Sequence, residues 1–213
     1  MNAMRIMKRI CGKRLVADER GDVLVGFILI VGLLFGLFFA GVGFFLLLSW
    51  IQFAEMATQA GVRTAVVRTP VVAGLPAAIA RREGYEGPVG RSCSSADPSP
   101  CAPLTTRSCG PLFGGDACAG TAFDHVAARM QQIFPVIQPA NISIRYEDSG
   151  LGYVDGPPVP LVTVAVSGVP IPIIGGVIDL AFRLVGGGAP GWNQLGPIQA
   201  SMTAEDLSTT WSP

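Results

Sequence analysis

The side chains able to do chemistry are few and unevenly placed. His125 is the only histidine in 213 residues, so any imidazole general base or Ser–His–Asp relay has to be built on it. It falls on the polar side of a helical stretch from Thr121 to Phe134, and no G-x-S-x-G elbow accompanies it. No H-E-x-x-H pattern or His-rich run offers a metal site. Glu147, Asp148 and Asp155 are near enough in sequence to gather around a cation, and equally suit turns. Gly186 to Gly191 has the glycines of a phosphate loop without the following Lys-Ser/Thr, which reads as a flexible connection. Asn141-Ile142-Ser143 matches a glycosylation acceptor pattern that is short enough to recur by chance. We expect no catalytic residue, no cofactor and no metal, and hence no enzyme.

The cysteines carry more information. Cys93, Cys101, Cys109 and Cys118 lie in a stretch rich in Gly, Pro and Ser, 87–120, while Cys11 stands apart near the start. An even cluster in a loop region reads as two disulfides in an oxidising compartment. Zinc sites use paired short spacings such as C-x-x-C, unlike the spacing here. Three connectivities are open, of which the sequential one, Cys93 with Cys101 and Cys109 with Cys118, closes the smallest loops. Cys11 reads as an ordinary thiol on the reducing side.

That partition requires a membrane between the two groups of cysteines, and the sequence offers one. Half of the residues are hydrophobic and only 14% are charged. From Val23 to Leu48 there is no Asp, Glu, Lys, Arg or His. A helix over these residues is about 39 Å long at 1.5 Å per residue, more than the ~30 Å hydrocarbon core of a bilayer. A cleaved secretory signal has a shorter apolar region ending in small residues, whereas Phe44 to Leu48 offers no such cut. Before the run, Arg5, Lys8, Arg9, Lys13, Arg14 and Arg20 outweigh Asp18 and Glu19. Such a basic flank is retained in the cytoplasm, so the remainder is exported. Nothing in the exported part suggests nucleic acid. Gly32 and Gly36 form a small-x-x-x-small pair through which another membrane helix could approach, although glycine is also simply frequent in such helices.

The helical pattern continues beyond the span. Trp50, Phe53, Ala54, Ala57, Ala60, Gly61 and Ala65 recur at three- and four-residue spacing, with Gln52, Glu55, Gln59 and Arg63 opposite. Trp50 is placed as an interfacial anchor, and Pro70 stops the helix. Leu75 to Arg82 is expected to form a short helix. Thr121 to Phe134 is a second, with Phe123, Val126, Ala127, Met130 and Phe134 on one face. Alternation then predicts three strands: Ile142 to Tyr146, Leu161 to Ser167, and Ile198 to Glu205 with Ile198, Ala200, Met202 and Ala204 facing one way. Between the last two, Ile174, Val177, Ile178, Ala181, Phe182 and Val185 trace a further helical stripe with Asp179 and Arg183 on its polar side. The expected class is α+β: a long N-terminal transmembrane helix, then a small antiparallel sheet with covering helices and a disulfide-bonded loop. The divisions are a basic cytoplasmic leader, 1–21, a transmembrane and amphipathic helix, 22–69, and an exported domain, 70–213.

This layout resembles TadE-like minor pilins of the Flp, or tight-adherence, pilus system. The residues that carry the resemblance are Asp18-Glu19-Arg20-Gly21-Asp22-Val23-Leu24-Val25-Gly26-Phe27, then Ala57 to Val67, then Val162 to Val166 followed by a Pro-containing apolar insert and a final alternating strand. The resemblance implies a bacterial inner-membrane protein that a prepilin peptidase cuts between Gly21 and Asp22. Its partners would be the lipid bilayer, other pilin or pseudopilin subunits and the inner-membrane assembly machinery. Gly26 stands where this family and pilins generally carry a Glu that pairs with a neighbour's N-terminal amine. The departure fits a subunit at a filament tip, as in tip pseudopilins of type II secretion, or an uncleaved bitopic protein.

Overall fold

The computed structural model describes residues 19–115, 117–171 and 194–204, with side chains from Val23 onward. Residues 1–18 of the basic leader, with Cys11, the expected helical stripe from Ile174 to Val185, the glycine run 186–191 and Glu205 lie outside the described residues, while 19–21 already belong to the first helix. The chain divides into two units, Met1–Leu47 and Leu48–Pro213. Helix α1, Glu19–Val66, belongs to both. It contains no proline and ends four residues before Pro70, whose missing N–H and steric demand on Thr69 oppose continuation.

The second unit is α+β. Four antiparallel strands, β1 (Arg107–Cys109), β2 (Ile142–Asp148), β3 (Pro160–Val166) and β4 (Ile198–Thr203), pair in the order of the chain. One row of partners, Cys109, Ile144, Val164 and Ala200, crosses all four strands on one face. Ile142, Ile144, Tyr146, Val162, Val164 and Val166 lie on that face and are buried, as their alternation predicts. Helix α2 (Thr121–Ile133) buries Phe123, Val126, Ala127 and Met130, with Phe134 following, the stripe expected from the 3.6-residue period.

From Ala54 onward, α1 packs into this core through small side chains. Ala54, Ala57 and Ala65 are buried, and a Cβ added to Gly61 would stand 2.6 Å from Met130 Sδ and 3.4 Å from Val164 Cγ1. Removing side-chain bulk lets the helix come close to both α2 and β3. Thr58, also buried, donates its hydroxyl to Ala54 O at 2.6 Å, so its polar atom needs no partner outside the helix. Trp50 meets Phe134 edge to face at 5.3 Å and Phe53 stacks on the same ring at 6.4 Å. Phe134 thus sits by the earlier residues of this stretch and Met130 by the later ones, so α1 and α2 run in opposite directions. Trp50, expected as an interfacial anchor, is half-buried in the domain's own aromatic cluster.

Two expectations need correction. Leu75 to Arg82 forms no helix. Gly74 adopts φ +90° just before it, Pro76 lacks an N–H, and the backbone bonds outward instead, Ile79 N to Gly156 O at 2.8 Å and Ala102 N to Ala80 O at 2.8 Å. The stretch 87–120 is not entirely loop, since it contributes β1. Gly110, next to β1 at φ 94°, passes so close to β2 that a Cβ would fall 2.5 Å from Ile142 O. On the expected face of β4, Ile198 and Ala200 are half-buried and Met202 is 40% exposed, with the buried Ala204 following.

Candidate functional site

The first unit presents one feature, the apolar part of α1. Val23, Leu29, Leu33, Leu37 and Phe45 are each more than 65% exposed. None of the most apolar window, whose mean hydropathy is 2.9, is buried, and the helix is long and apolar enough to cross a membrane. In water such a surface carries the full cost of exposing apolar area, about 25 cal/mol per Å². In lipid it carries none, and the helix satisfies its own backbone groups. A Cβ placed on Gly26, Gly32 or Gly36 would meet nothing within 4 Å. Gly32 and Gly36 are therefore open notches, one turn apart. The Gly21–Asp22 bond lies within the first turn of α1, and Gly26 follows Asp22 by one turn.

Both disulfides take the sequential connectivity, with Cα–Cα distances of 5.2 Å for Cys93–Cys101 and 5.1 Å for Cys109–Cys118. Each has its own task. Cys93 and Cys101 form a small core with Ile79 and Val154, against which Tyr85 packs. This satellite holds a long irregular segment that has little regular structure of its own. Cys109–Cys118 folds a loop over the second face of the sheet. There Leu112 N donates to the buried Ser143 Oγ at 2.9 Å, and the Arg145 guanidinium lies over the Phe113 ring at 4.5 Å.

Among the described residues, those with catalytic or ligating potential are not assembled. His125 is exposed on α2 and, among the described residues, makes no hydrogen bond or ion pair. Asp155 pairs with Arg81 at 3.1 Å, Glu147 with Arg145 at 3.1 Å, and Asp148 accepts from Gly150 N at 3.1 Å. The three carboxylates are thus engaged separately, and no group of three potential metal ligands occurs among the described residues. Asn141 is structural. It accepts from Gln138 N at 3.0 Å and donates to Ser167 O and Gly168 O at 3.0 and 3.2 Å, joining the start of β2 to the end of β3.

Two features escape sequence reasoning. The first is Tyr146, whose hydroxyl accepts from Val71 N at 3.1 Å and so ties the chain just beyond α1 to β2. Burial pushes this phenol up from its ordinary 10.0, and the Val71 hydrogen bond offsets part of the rise. The second is a groove of about 770 Å³ between the later part of α1 and α2. Its lining includes Arg63, Arg68, Arg129 and His125, and no carboxylate. The helical period places Arg63 and Arg129 on polar faces, but nothing in the sequence says that these faces share one groove. The chain matches no protein-family model, no curated protein and no solved structure.

Proposed function

We propose that this chain is a minor pilin-like subunit of a Flp/Tad-type pilus, anchored in the bacterial inner membrane by α1 and carrying its disulfide-bonded domain outside the cytoplasm. The observation that carries the reading is the division of labour within one helix. Residues 23–48 expose apolar side chains all around, while residues 54–66 are built into an α+β domain through small side chains. A helix of this kind holds a domain at a membrane before assembly and offers neighbouring subunits a packing surface afterwards. The two disulfides support an oxidising compartment for the domain. The open pair Gly32 and Gly36 supports close helix–helix approach in lipid. Prepilin peptidase would act between Gly21 and Asp22. The role is structural, with other pilin or pseudopilin subunits and the assembly machinery as partners.

A second reading rests on Gly26 and on the groove between α1 and α2. Without a carboxylate at residue 26, a neighbouring N-terminal amine has no partner in the apolar layer. The chain would then be an uncleaved bitopic protein that binds or scaffolds in the periplasm. Mass spectrometry of the membrane-extracted protein separates the two: a terminus at Asp22 supports the pilin-like subunit, and an intact Met1 eliminates it.

A further inference from the structure

The groove between α1 and α2 is lined by three arginines and by no carboxylate. Its two walls are the solvent sides of antiparallel helices, with Arg63 on α1, Arg68 just beyond its end and Arg129 on α2. The same lining includes the apolar side chains of Met56 and Val67, which are 51% and 64% exposed. Among the described residues none of the three guanidiniums has a carboxylate in ion-pair range, and the only side-chain hydrogen bond they make runs from Arg129 to Gln132 at 2.8 Å. Glu55 and Asp124, the nearest carboxylates in sequence, do not line the groove. From Met56 to the end of α1 at Val66 the wall is about 15 Å long at 1.5 Å per residue, or nearly three helical turns.

An inorganic anion would use the cations and leave the exposed apolar side chains of the lining wet. An amphipathic helix uses both, setting apolar anchors against Met56 and Val67 and carboxylates against the guanidiniums. We propose that this groove receives an acidic amphipathic helix of a partner protein, about three turns long, with Glu or Asp flanking its apolar stripe. The proposal is independent of filament entry, because the groove lies wholly within the second unit and does not involve the leader or residue 26.

The test uses the full chain in nanodiscs of zwitterionic lipid, with a displayed library of random 16-residue peptides as the probe and empty discs as the counter-selection. The expected result is enrichment of peptides with Glu or Asp at helical spacing beside an apolar stripe. The best of them, synthesised and titrated, should weaken about tenfold against the double variant Arg63→Gln/Arg129→Gln, since charge pairs of this kind govern such interfaces. It should also weaken against Ala128→Trp, which fills the groove without altering charge. Thermal melts of both variants confirm that the domain is intact. Enrichment of neutral or basic peptides, no enrichment over empty discs, or binding unaffected by both variants overturns the proposal. So does displacement of the peptide by an equal concentration of inorganic pyrophosphate, which identifies a small-anion site instead.

Discussion

Two stretches of α1 both carry glycine and apolar side chains and have opposite fates. Gly32 and Gly36 have open space where a Cβ would go, whereas a Cβ at Gly61 would press on Met130 and Val164. Leu33 and Leu37 are each 68% exposed, while Ala54 and Ala57 are 0% exposed. The first stretch is apolar on every side and the second on one side only. A helix that is apolar all round asks for a surrounding apolar medium, whereas a one-sided stripe asks for a packed partner. The absence of charge marks the first stretch, and the one-sided placing of Glu55, Gln59 and Arg63 marks the second.

The largest expected effect falls on the second stretch's domain alone. Reducing both disulfides should destabilise it by ~2–5 kcal/mol per bridge, read as a fall in melting temperature, while retention of the chain in membranes stays unchanged. An unaltered melt under reductant would break the distinction between a domain that needs cross-links and a span that needs only lipid. The complementary change is Phe35→Lys. A charge at the centre of a membrane helix costs ~2.5–3.5 kcal/mol of insertion free energy, so carbonate-resistant membrane association should drop while the domain's denaturation midpoint holds.

A matched pair sharpens the comparison further. Gly61→Ala should cost ~1–3 kcal/mol through overpacking against Met130. Gly32→Ala should leave the domain's stability unchanged, because nothing stands where its methyl would go. Equal effects in chemical denaturation would mean that the two stretches are not in different surroundings.

The smallest effect concerns the tie beyond the helix. Tyr146→Phe leaves Val71 N–H without its acceptor and should cost about 1 kcal/mol near neutral pH. The phenol is held above 10.0 by burial, so the folded state prefers it protonated. Its contribution is complete below the unfolded value of about 10 and declines as pH rises through the higher folded value. The difference between wild type and variant should therefore shrink in alkaline melts above pH ~10. A constant difference across that range would place the phenol in water instead.

The sequence by itself determined the elements whose periods are long and uninterrupted. The uncharged run from Val23, the small-residue stripe from Ala54 to Ala65, the face of α2 from Phe123 to Phe134 and the alternation in Ile142 to Tyr146 each repeat a local geometry often enough to be legible. Loop size favours the sequential disulfides without fixing them, since spacing leaves three pairings open, and the structure chooses the sequential one. Only the tertiary structure decided what depends on a single contact between distant residues. β1 is three residues long and exists because Cys109 lies beside Ile144. The stretch from Leu75 to Arg82 has helix-forming residues, but its backbone groups find partners in other loops. The groove that gathers Arg63, Arg68 and Arg129 arises because α1 and α2 cover the same face of the sheet. Periodicity records which side of an element is buried; it carries no record of which exposed sides will meet, because that is fixed by packing between segments far apart in the chain.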